Sequence, residues 1–420
     1  MFYTVSHHQE RTVTAGEFGS ELWWKKQQGP AWVREEQGYR VTFLWRDPQG
    51  SEKTSDTIRV WLYITGVTDH HHDTPPQCMQ RVSGTDVWRW ETILPAEWRG
   101  SYCFIPSSQA SDFGQYVPGD PHINPLAIRQ GWKKLLPQAI ADPLNSLSWS
   151  GGRGHPFSGL SLPDAPPQPG WDDNAPSCQP PACFVWHSQR LENHRRIWVY
   201  TTGEDTGQDK PLAILLDGQF WAESMPIWQP ITTLTQTGHL PPAVYILIDV
   251  IDEAHRSLEL PCYADFWLAV QEELLPLVKS SVAFTDKPEQ TLVAGQSFGG
   301  LAALYAGLNW PERFGCVLSQ SGSFWWPDRQ GKHQGQLIEA LSQGKLSASG
   351  LRIVLQAGRR EPLILHVNRQ LYPLLAHAKQ RISCEIEGGH DALCWRGGLT
   401  AGLMTLWQSS GVQAASLSSR

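Results

Sequence analysis

The chain has 420 residues, of which 40% are hydrophobic and 18% charged, so two or three domains with ordinary buried cores are expected. Its 34 Lys and Arg against 41 Asp and Glu give a formal net charge of -7. No block of Lys or Arg dominates the chain, which argues against a nucleic acid or an anionic membrane as a partner. No run of about 18 apolar residues occurs, so no transmembrane helix is expected.

The eight cysteines are scattered along the chain, with no CxxC pair and no Cys/His spacing typical of zinc sites. Scattered cysteines in a chain of this length are typical of reduced, partly buried thiols. The first 20 residues contain no apolar run of signal-peptide length. Together these features predict a cytoplasmic protein.

The N-terminal part of the chain has a strand-like pattern. Residues 1–20 have the composition of a loose tail, and residues 21–145 contain short β-branched and aromatic runs, such as 41–47 and 58–66, separated by turn signals. Short strands separated by turns predict an all-β, immunoglobulin-like sandwich domain. Residues 146–182 are rich in Gly, Pro and Ser, which predicts an interdomain linker.

Residues 183–420 alternate between strand and helix patterns. The continuous apolar runs at 211–218 and 243–250 suit strands that are buried on both faces, and 264–282 has the apolar spacing of a helix. Alternating strands and helices predict a mostly parallel sheet with helices on both faces.

Residues 295–299 match the pattern G-x-S-x-G between an apolar strand and a helix of small residues. In this context the pattern is typical of a nucleophile elbow, in which a tight turn presents the Ser hydroxyl at the carboxyl end of the sheet. The flanking glycines are needed because a Cβ would collide with neighbouring backbone. The pattern therefore predicts an α/β-hydrolase with Ser297 as nucleophile, and a plain Gly-rich turn is the alternative.

The general base and its acid should follow later strands, because the chain order in this fold is Ser, acid, His. His390 follows the last predicted strand, and Glu361 follows the strand before it, so we expect Glu361 to orient His390. Asp391 is an alternative acid, although its position beside His390 makes the geometry awkward. A dyad with no effective acid also remains open.

An esterase also needs two backbone N–H donors for the oxyanion that forms during acyl transfer. The first is expected from Phe298, the residue directly after the nucleophile. The second is expected from Gly218 or Gln219, which follow an early strand.

Several segments resemble the cytoplasmic enterochelin (enterobactin) esterases of enteric bacteria. They include LWRDPQGSE, VWLYITGVTDHHH, WRGSYCFIP, AGQSFGGLAALYAGLNWPERFGCVLSQSGSFWWP and GGHDALCWRGGL, and the resemblance spans about residues 20–410. It implies hydrolysis of the tri-serine lactone of ferric enterobactin to 2,3-dihydroxybenzoylserine units, with Ser297 acylated and His390 as base. It also implies that no cofactor is needed, because the iron belongs to the substrate.

A ferric tris-catecholate is an aromatic anion, which calls for Arg donors and aromatic walls. Arg256 follows a predicted strand at the carboxyl edge of the sheet and is expected to contact the catecholate, with a structural ion pair as the alternative. Arg359 and Arg360 stand beside the predicted acid and add positive potential. Trp325 and Trp326 either line the pocket or pack in the core.

Residues 70–72 are three consecutive histidines. Alternate side chains of a strand face opposite sides, so the run predicts a surface loop rather than a metal site. The N-terminal domain is either a lid or wall of the substrate cleft or only a stabilising appendage. Two other functions stay open at this stage: a general carboxylesterase or acyltransferase on the same fold, and a binding protein with a vestigial site.

Overall fold

The computed structural model of the chain describes residues 18–71, 76–109, 113, 125–151, 154–174, 181, 183–329 and 334–407. These residues form two compact units. The N-terminal unit contains the described residues up to 166 together with 359–362 and 387–394, and the C-terminal unit contains those of 167–358, 363–386 and 395–407. None of the described helices is long and apolar enough to cross a membrane.

The described part of the N-terminal unit is mainly β-structure. Its elements are α1 (Glu21–Trp24), β1 (Ala31–Glu35), β2 (Gly38–Arg46), β3 (Arg59–Ile64), β4 (Gln77–Cys78), β5 (Gln80–Arg81), β6 (Val87–Leu94), β7 (Arg99–Ser107), α2 (Pro125–Leu135), the 3-10 turn Leu136–Gln138, β8 (Ser148–Ser150) and β9 (Pro156–Ser161). The strands form two antiparallel sheets with the orders β1-β2-β6-β5 and β4-β3-β7-β9-β8.

The two sheets share one apolar core, because alternate side chains along each strand face the same side. Phe43 from β2, Leu62 from β3 and Tyr102 from β7 belong to this core and are almost fully buried. The other face of β3 and β7 is covered too, since Trp61 packs with Trp132 of α2 in a second cluster. Burial on both faces explains why β3 is apolar over almost its whole length.

Strands β8 and β9 lie inside the region that the sequence predicts to be a linker. β9 pairs with β7 and β8 pairs with β9, so both belong to the five-stranded sheet. Ser158 of β9 is fully buried, and its hydroxyl accepts the backbone N–H of Asp142 at 2.8 Å. The composition misled the prediction because the small residues of this segment lie in paired strands, and those at the centre of β9 are buried. Residues 152–153, 175–180 and 182 of the predicted linker and residues 1–17 of the predicted tail lie outside the described residues.

The C-terminal unit contains an eight-stranded sheet. Its strands are β10 (Cys183–Ser188), β11 (Asn193–Thr201), β12 (Leu212–Leu215), β13 (Val244–Ile248), β14 (Thr291–Gln296), β15 (Cys316–Gln320), β16 (Arg352–Gly358) and β17 (Gln380–Ile386). The order is β10-β11-β13-β12-β14-β15-β16-β17, and pairing is parallel from β13 onward. β10 and β11 pair antiparallel, as do β11 and β13, so the sheet is mostly parallel, as the alternating pattern predicts.

The helices that alternate with these strands are α3 (Trp228–Gln236), α4 (Glu253–Glu259), α5 (Ala264–Ala269), α6 (Leu275–Lys279), α7 (Phe298–Asn309), α8 (Gln336–Ser342), α9 (Pro362–Leu374) and α10 (Ala392–Trp407). Two π-helical turns, Phe220–Ser224 and Val270–Leu274, and the 3-10 turn Pro288–Gln290 complete the described elements. The helix predicted over 264–282 is thus interrupted between α5 and α6. Pro276, which has no N–H to donate to the preceding turn, lies just after this interruption.

Candidate active site

The turn between β14 and α7, residues 295–299, holds Ser297 in a strained conformation. Its backbone has φ 59° and ψ -118°, a region that residues other than glycine rarely occupy. A Cβ on Gly295 would lie 2.3 Å from the carbonyl oxygen of Gly299, so the turn closes only with glycine there. Two bonds fix the Ser297 backbone, since its N–H donates to Gln320 O at 3.0 Å and its carbonyl accepts from Ser323 N at 3.1 Å. We name residues 295–299 the nucleophile turn.

The predicted oxyanion donors lie at two element ends of the C-terminal unit. Phe298 is the first residue of the twelve-residue helix α7, and the first N–H groups of a helix have no partner within it. Gly218 follows β12 after two residues, and Gln219 directly precedes the π-helical turn. The Gln219 side-chain oxygen accepts the backbone N–H of Val250 at 3.3 Å.

Arg256 forms an ion pair, which is the alternative that the sequence left open, with a partner that the sequence did not identify. Its guanidinium donates to both carboxylate oxygens of Asp217, at 2.6 and 3.0 Å, and to the backbone carbonyl of Gln296 at 3.3 Å. Burial lowers the pKa of the guanidinium, but the Asp217 carboxylate more than offsets this, so the pKa lies above its ordinary value. Arg256 therefore stands beside the nucleophile turn as part of a charge pair. The available signal in the sequence was Asp217, the acidic residue near the end of the apolar run 211–218.

Aromatic rings adjoin the nucleophile turn. The rings of Phe298 and Trp325 lie 5.8 Å apart, and the Arg329 guanidinium lies 5.3 Å from the Trp325 ring. Trp325 and Trp326 are both half-buried against the core of the C-terminal unit. Each Trp therefore packs in part on the core, and a role in lining the pocket stays a prediction.

Three buried glutamines form a hydrogen-bonded row at or near the ends of the adjacent strands β14, β15 and β16. Gln296 donates to the side-chain oxygen of Gln320 at 2.9 Å, and Gln320 donates to that of Gln356. Trp221 completes the row by donating to Gln296 at 2.9 Å. The parallel register places the three residues side by side, so the row ties together three strands of the sheet. The sequence pattern did not predict this row, although a glutamine at or near the end of successive apolar runs was visible.

Glu361 and His390 are brought together by the structure. Both belong to the N-terminal unit, and His390 Nδ1 lies 2.5 Å from Glu361 Oε1. The Glu361 side chain is fully buried, whereas 15% of the His390 side chain is exposed. A buried carboxylate on Nδ1 fixes the tautomer and orientation of an imidazole and stabilises its protonated form.

Asp391, the alternative acid, is bound elsewhere. Its carboxylate accepts hydrogen bonds from the Thr65 hydroxyl, from the backbone N–H and hydroxyl of Ser101, and from the backbone N–H of Leu393. Burial is the largest effect on its pKa and raises it, although these hydrogen bonds act in the opposite direction. The segment 387–394, which we name the base loop, is therefore attached to the ends of β3 and β7.

His70 and His71, the two described residues of the histidine run, lie in a turn after β3 and are half-buried. His71 has only 17% of its side chain exposed, and its Nδ1 lies 3.2 Å from the buried carboxylate of Asp69. Its ring lies against that of His390, with 4.7 Å between centroids and 30° between the ring planes, and the His70 ring lies 4.1 Å from that of His71. His72 lies outside the described residues, within which no group of three or more His, Cys, Asp or Glu side chains is arranged to hold a metal.

The two arginines beside the acid differ in their surroundings. Arg359 is exposed. Arg360 donates from Nε to Glu387 at 2.6 Å and from Nη1 to the carbonyl of Gly66 at 3.5 Å, all within the N-terminal unit. Arg360 therefore helps to hold the base loop, a role that the sequence did not indicate.

Comparison with known proteins places this arrangement in a family. A sequence profile described as "Enterochelin esterase, N-terminal" matches residues 40–171, and one described as "Putative esterase" matches residues 188–406. The iron(III) enterobactin esterase of Escherichia coli (strain K12) is 59% identical over 399 residues, which cover 94% of this chain and 98% of that protein.

Two crystal structures extend the similarity to three dimensions. The ferric enterobactin esterase from Salmonella typhimurium has 60% identity and a TM-score of 0.88, covering 92% of this chain and 98% of that one. The enterobactin esterase from Shigella flexneri, solved in the presence of enterobactin, has 57% identity and a TM-score of 0.85, covering 93% and 99%. The chain therefore belongs to the enterochelin esterase family of ester hydrolases.

Proposed function

We propose that the chain is a serine esterase that hydrolyses the tri-serine lactone of ferric enterobactin to 2,3-dihydroxybenzoylserine units. The observation that carries the substrate assignment is the 59% identity, over almost the full length, to an iron(III) enterobactin esterase. The Glu361–His390 pair at 2.5 Å and the strained turn at Ser297 support the reaction type. A vestigial binding protein has no need of either feature.

In the proposed reaction the Ser297 hydroxyl attacks a lactone carbonyl while His390 accepts its proton at Nε2. Glu361, on Nδ1, stabilises the imidazolium that forms. The backbone N–H of Phe298 and that of Gly218 or Gln219 bind the oxyanion. The imidazolium then protonates the leaving serine hydroxyl, and water, activated by the same His390, hydrolyses the acyl-enzyme.

The iron enters this proposal as part of the substrate, and the protein contributes no cofactor. Three catechols on one ring bind iron more tightly than three separate ones, because the linkage raises their effective concentration. Opening the ring and separating the units therefore weakens the iron complex.

Arg256, Arg359, Arg360, Trp325 and Trp326 are the candidates for substrate recognition. Arg359 is exposed, and Trp325 adjoins Phe298, which suits contact with an aromatic anion. Arg256 and Arg360 already bind Asp217 and Glu387, so any contact with the catecholate uses their remaining donors. For Arg256→Ala we expect weaker binding of ferric enterobactin with simple esters unaffected, whereas equal losses on both would indicate a structural ion pair.

We also propose a fold family for each unit and a cytoplasmic location for the protein. The strand–turn–helix at Ser297 and the mostly parallel sheet support an α/β-hydrolase fold, and the two antiparallel sheets support an immunoglobulin-like sandwich. The thiols of Cys103, Cys262 and Cys316 form no disulfides, which suits the cytoplasm.

Chromatography of ferric enterobactin after incubation with the parent protein and with Ser297→Ala tests the proposal. We expect dihydroxybenzoylserine products from the parent only. If the parent leaves ferric enterobactin intact but hydrolyses a simple aryl ester, the reaction type holds and the substrate assignment is wrong.

A further inference from the structure

The base loop belongs to the N-terminal unit although it follows the last strand of the C-terminal sheet in sequence. Within that unit Asp391 is completely enclosed, with 3% of the residue exposed, and four donors surround its carboxylate. The Ser101 hydroxyl lies 2.5 Å from Oδ1 and the Leu393 N–H lies 2.8 Å from it, while the Thr65 hydroxyl and the Ser101 N–H bind Oδ2. A buried carboxylate with this many donors is held in one position.

The donors themselves are rigidly placed. Thr65 follows β3 and Ser101 lies in β7, which are hydrogen-bonded neighbours in the five-stranded sheet. Thr65 N–H donates to Ser101 O at 3.0 Å, and Ser101 N–H also approaches the Thr65 hydroxyl at 3.1 Å. The sheet therefore fixes the positions of these donors through its own hydrogen bonds.

The backbones of the two segments pack without any side chain between them. A Cβ on Gly389 would lie 2.6 Å from the backbone nitrogen of Gly66, so only glycine fits at the residue before His390. The two glycines of the loop therefore permit contact with the end of β3. Arg99 adds a backbone bond, since its N–H donates to Glu387 O at 3.2 Å.

A second contact reaches the imidazole itself. The His71 ring lies at 4.7 Å and 30° to that of His390, and Asp69 fixes it through the 3.2 Å contact to Nδ1. His390 is thus held on three sides within one unit: by Glu361 at Nδ1, by His71 on its ring and by Asp391 through the adjoining backbone.

We propose that the N-terminal unit takes part in catalysis by positioning the base, with Asp391 as the residue that anchors the base loop to Thr65 and Ser101. The inference rests on the proposed function, in which His390 is the base. Asp391 is a positioning residue, because its carboxylate binds the sheet and not the reacting groups. The unit is then neither a plain appendage nor only a wall for the substrate.

Three variants of threonine test the anchor. Thr65→Val removes the hydroxyl that binds Asp391 with little change of shape, and Thr65→Ser retains it. Thr42→Val is the matched control, since the buried Thr42 donates to Glu91 at 2.6 Å in the other sheet of the same unit. The readouts are kcat and KM for an aryl ester, kcat for ferric enterobactin and the thermal unfolding midpoint.

We expect Thr65→Val to lower kcat roughly 10- to 100-fold with KM little changed, because a small displacement of a base has effects of this order. Thr65→Ser and Thr42→Val should keep kcat near the parent value. Parent-like kcat in Thr65→Val, or an equal loss in Thr42→Val, would overturn the inference. If Thr65→Val does not fold, Ser101→Ala removes a different hydroxyl from Asp391, and the same criteria apply to it.

The aryl ester separates the two proposals. A parent protein that cleaves the aryl ester but not ferric enterobactin contradicts the proposed substrate, and the threonine series still decides whether Asp391 anchors the base.

Discussion

The nucleophile turn and the base loop obtain their geometry in different ways. The turn is built from five consecutive residues between a strand and a helix, and its strain is stored locally at Ser297. The base loop depends on partners far away in the chain, since Asp391 is separated from Ser101 by 290 positions and from Thr65 by 326. The geometry of the proposed nucleophile is thus a local feature of the sequence, whereas the support of the proposed base is a property of the tertiary structure.

This difference predicts how the two regions respond to substitution. Changes in the nucleophile turn should affect chemistry directly and independently of the N-terminal sheets. Changes at the end of β3 or β7 should affect chemistry only through the position of His390. The following variants test this contrast, in order of decreasing effect on activity.

Ser297→Ala should have the largest effect. Removing the nucleophile of a serine hydrolase lowers kcat by about 10⁴-fold or more, and we expect a loss of this order on ferric enterobactin. Ser323→Ala is the matched control, because its hydroxyl lies 3.4 Å from that of Ser297, and it should retain most of the activity. Comparable losses in both variants would contradict the assignment of Ser297.

Glu361→Gln should have the next largest effect. An amide in place of the carboxylate no longer stabilises the imidazolium and favours the wrong tautomer, so kcat should fall roughly 10³- to 10⁴-fold. Glu385→Gln is the control, since that half-buried carboxylate pairs with the exposed Arg369 at 2.6 and 2.7 Å. A loss below about 10-fold in steady-state kcat would favour the dyad without an effective acid that the sequence leaves open.

His71 distinguishes ring support from hydrogen bonding. His71→Phe retains a ring beside His390 but cannot form a hydrogen bond with Asp69. His71→Gln removes the ring but can still donate a hydrogen bond to Asp69. An aromatic pair contributes about 1 kcal/mol, so we expect His71→Gln to lower kcat on the order of 5-fold and His71→Phe to remain close to the parent. The control is His255→Gln, which alters a similar His–Asp pair at 2.8 Å in the C-terminal unit. The opposite ranking of the two His71 variants would show that the bond to Asp69 matters instead.

Asp142→Asn should alter stability with the smallest effect on activity. Burial raises the pKa of this carboxyl to about 6, although Tyr102 and Leu144 donate hydrogen bonds to it. The folded state therefore binds the proton more tightly than the unfolded state, whose pKa is near 3.8, and its stability falls as pH rises from about 4 to about 6.

Urea unfolding of the parent and of Asp142→Asn at pH 4.5 and pH 7 measures this effect. The shift of about two pKa units contributes on the order of 3 kcal/mol to the free energy of unfolding at low pH. Between pH 4.5 and pH 7 the free energy of unfolding should therefore fall further in the parent than in the variant. The pKa of Asp391 is also raised, so the difference between the two proteins isolates Asp142. An equal pH dependence in both proteins would contradict the prediction.

The sequence predicted those parts of the site that depend on local pattern. The strand–turn–helix around Ser297, and the positions of Glu361 and His390 after successive strands, follow from apolar periodicity and chain order. The partners of Asp391, the ring contact of His71 and the pairing of Arg256 with Asp217 did not follow, because they join segments with no shared periodicity. Strands β8 and β9 were missed for a related reason, since buried Ser and Gly have the composition of a linker.

The rate at which a fluorophosphonate labels Ser297 tests most directly whether the base held by the N-terminal unit activates the nucleophile. The measurement compares the parent with His390→Ala, Thr65→Val and Thr42→Val at a single pH. We predict slow labelling in the first two variants and parent-like labelling in Thr42→Val. Parent-like labelling in both His390→Ala and Thr65→Val would contradict the claim, because Ser297 would then react without the base that Thr65 and Asp391 hold in place.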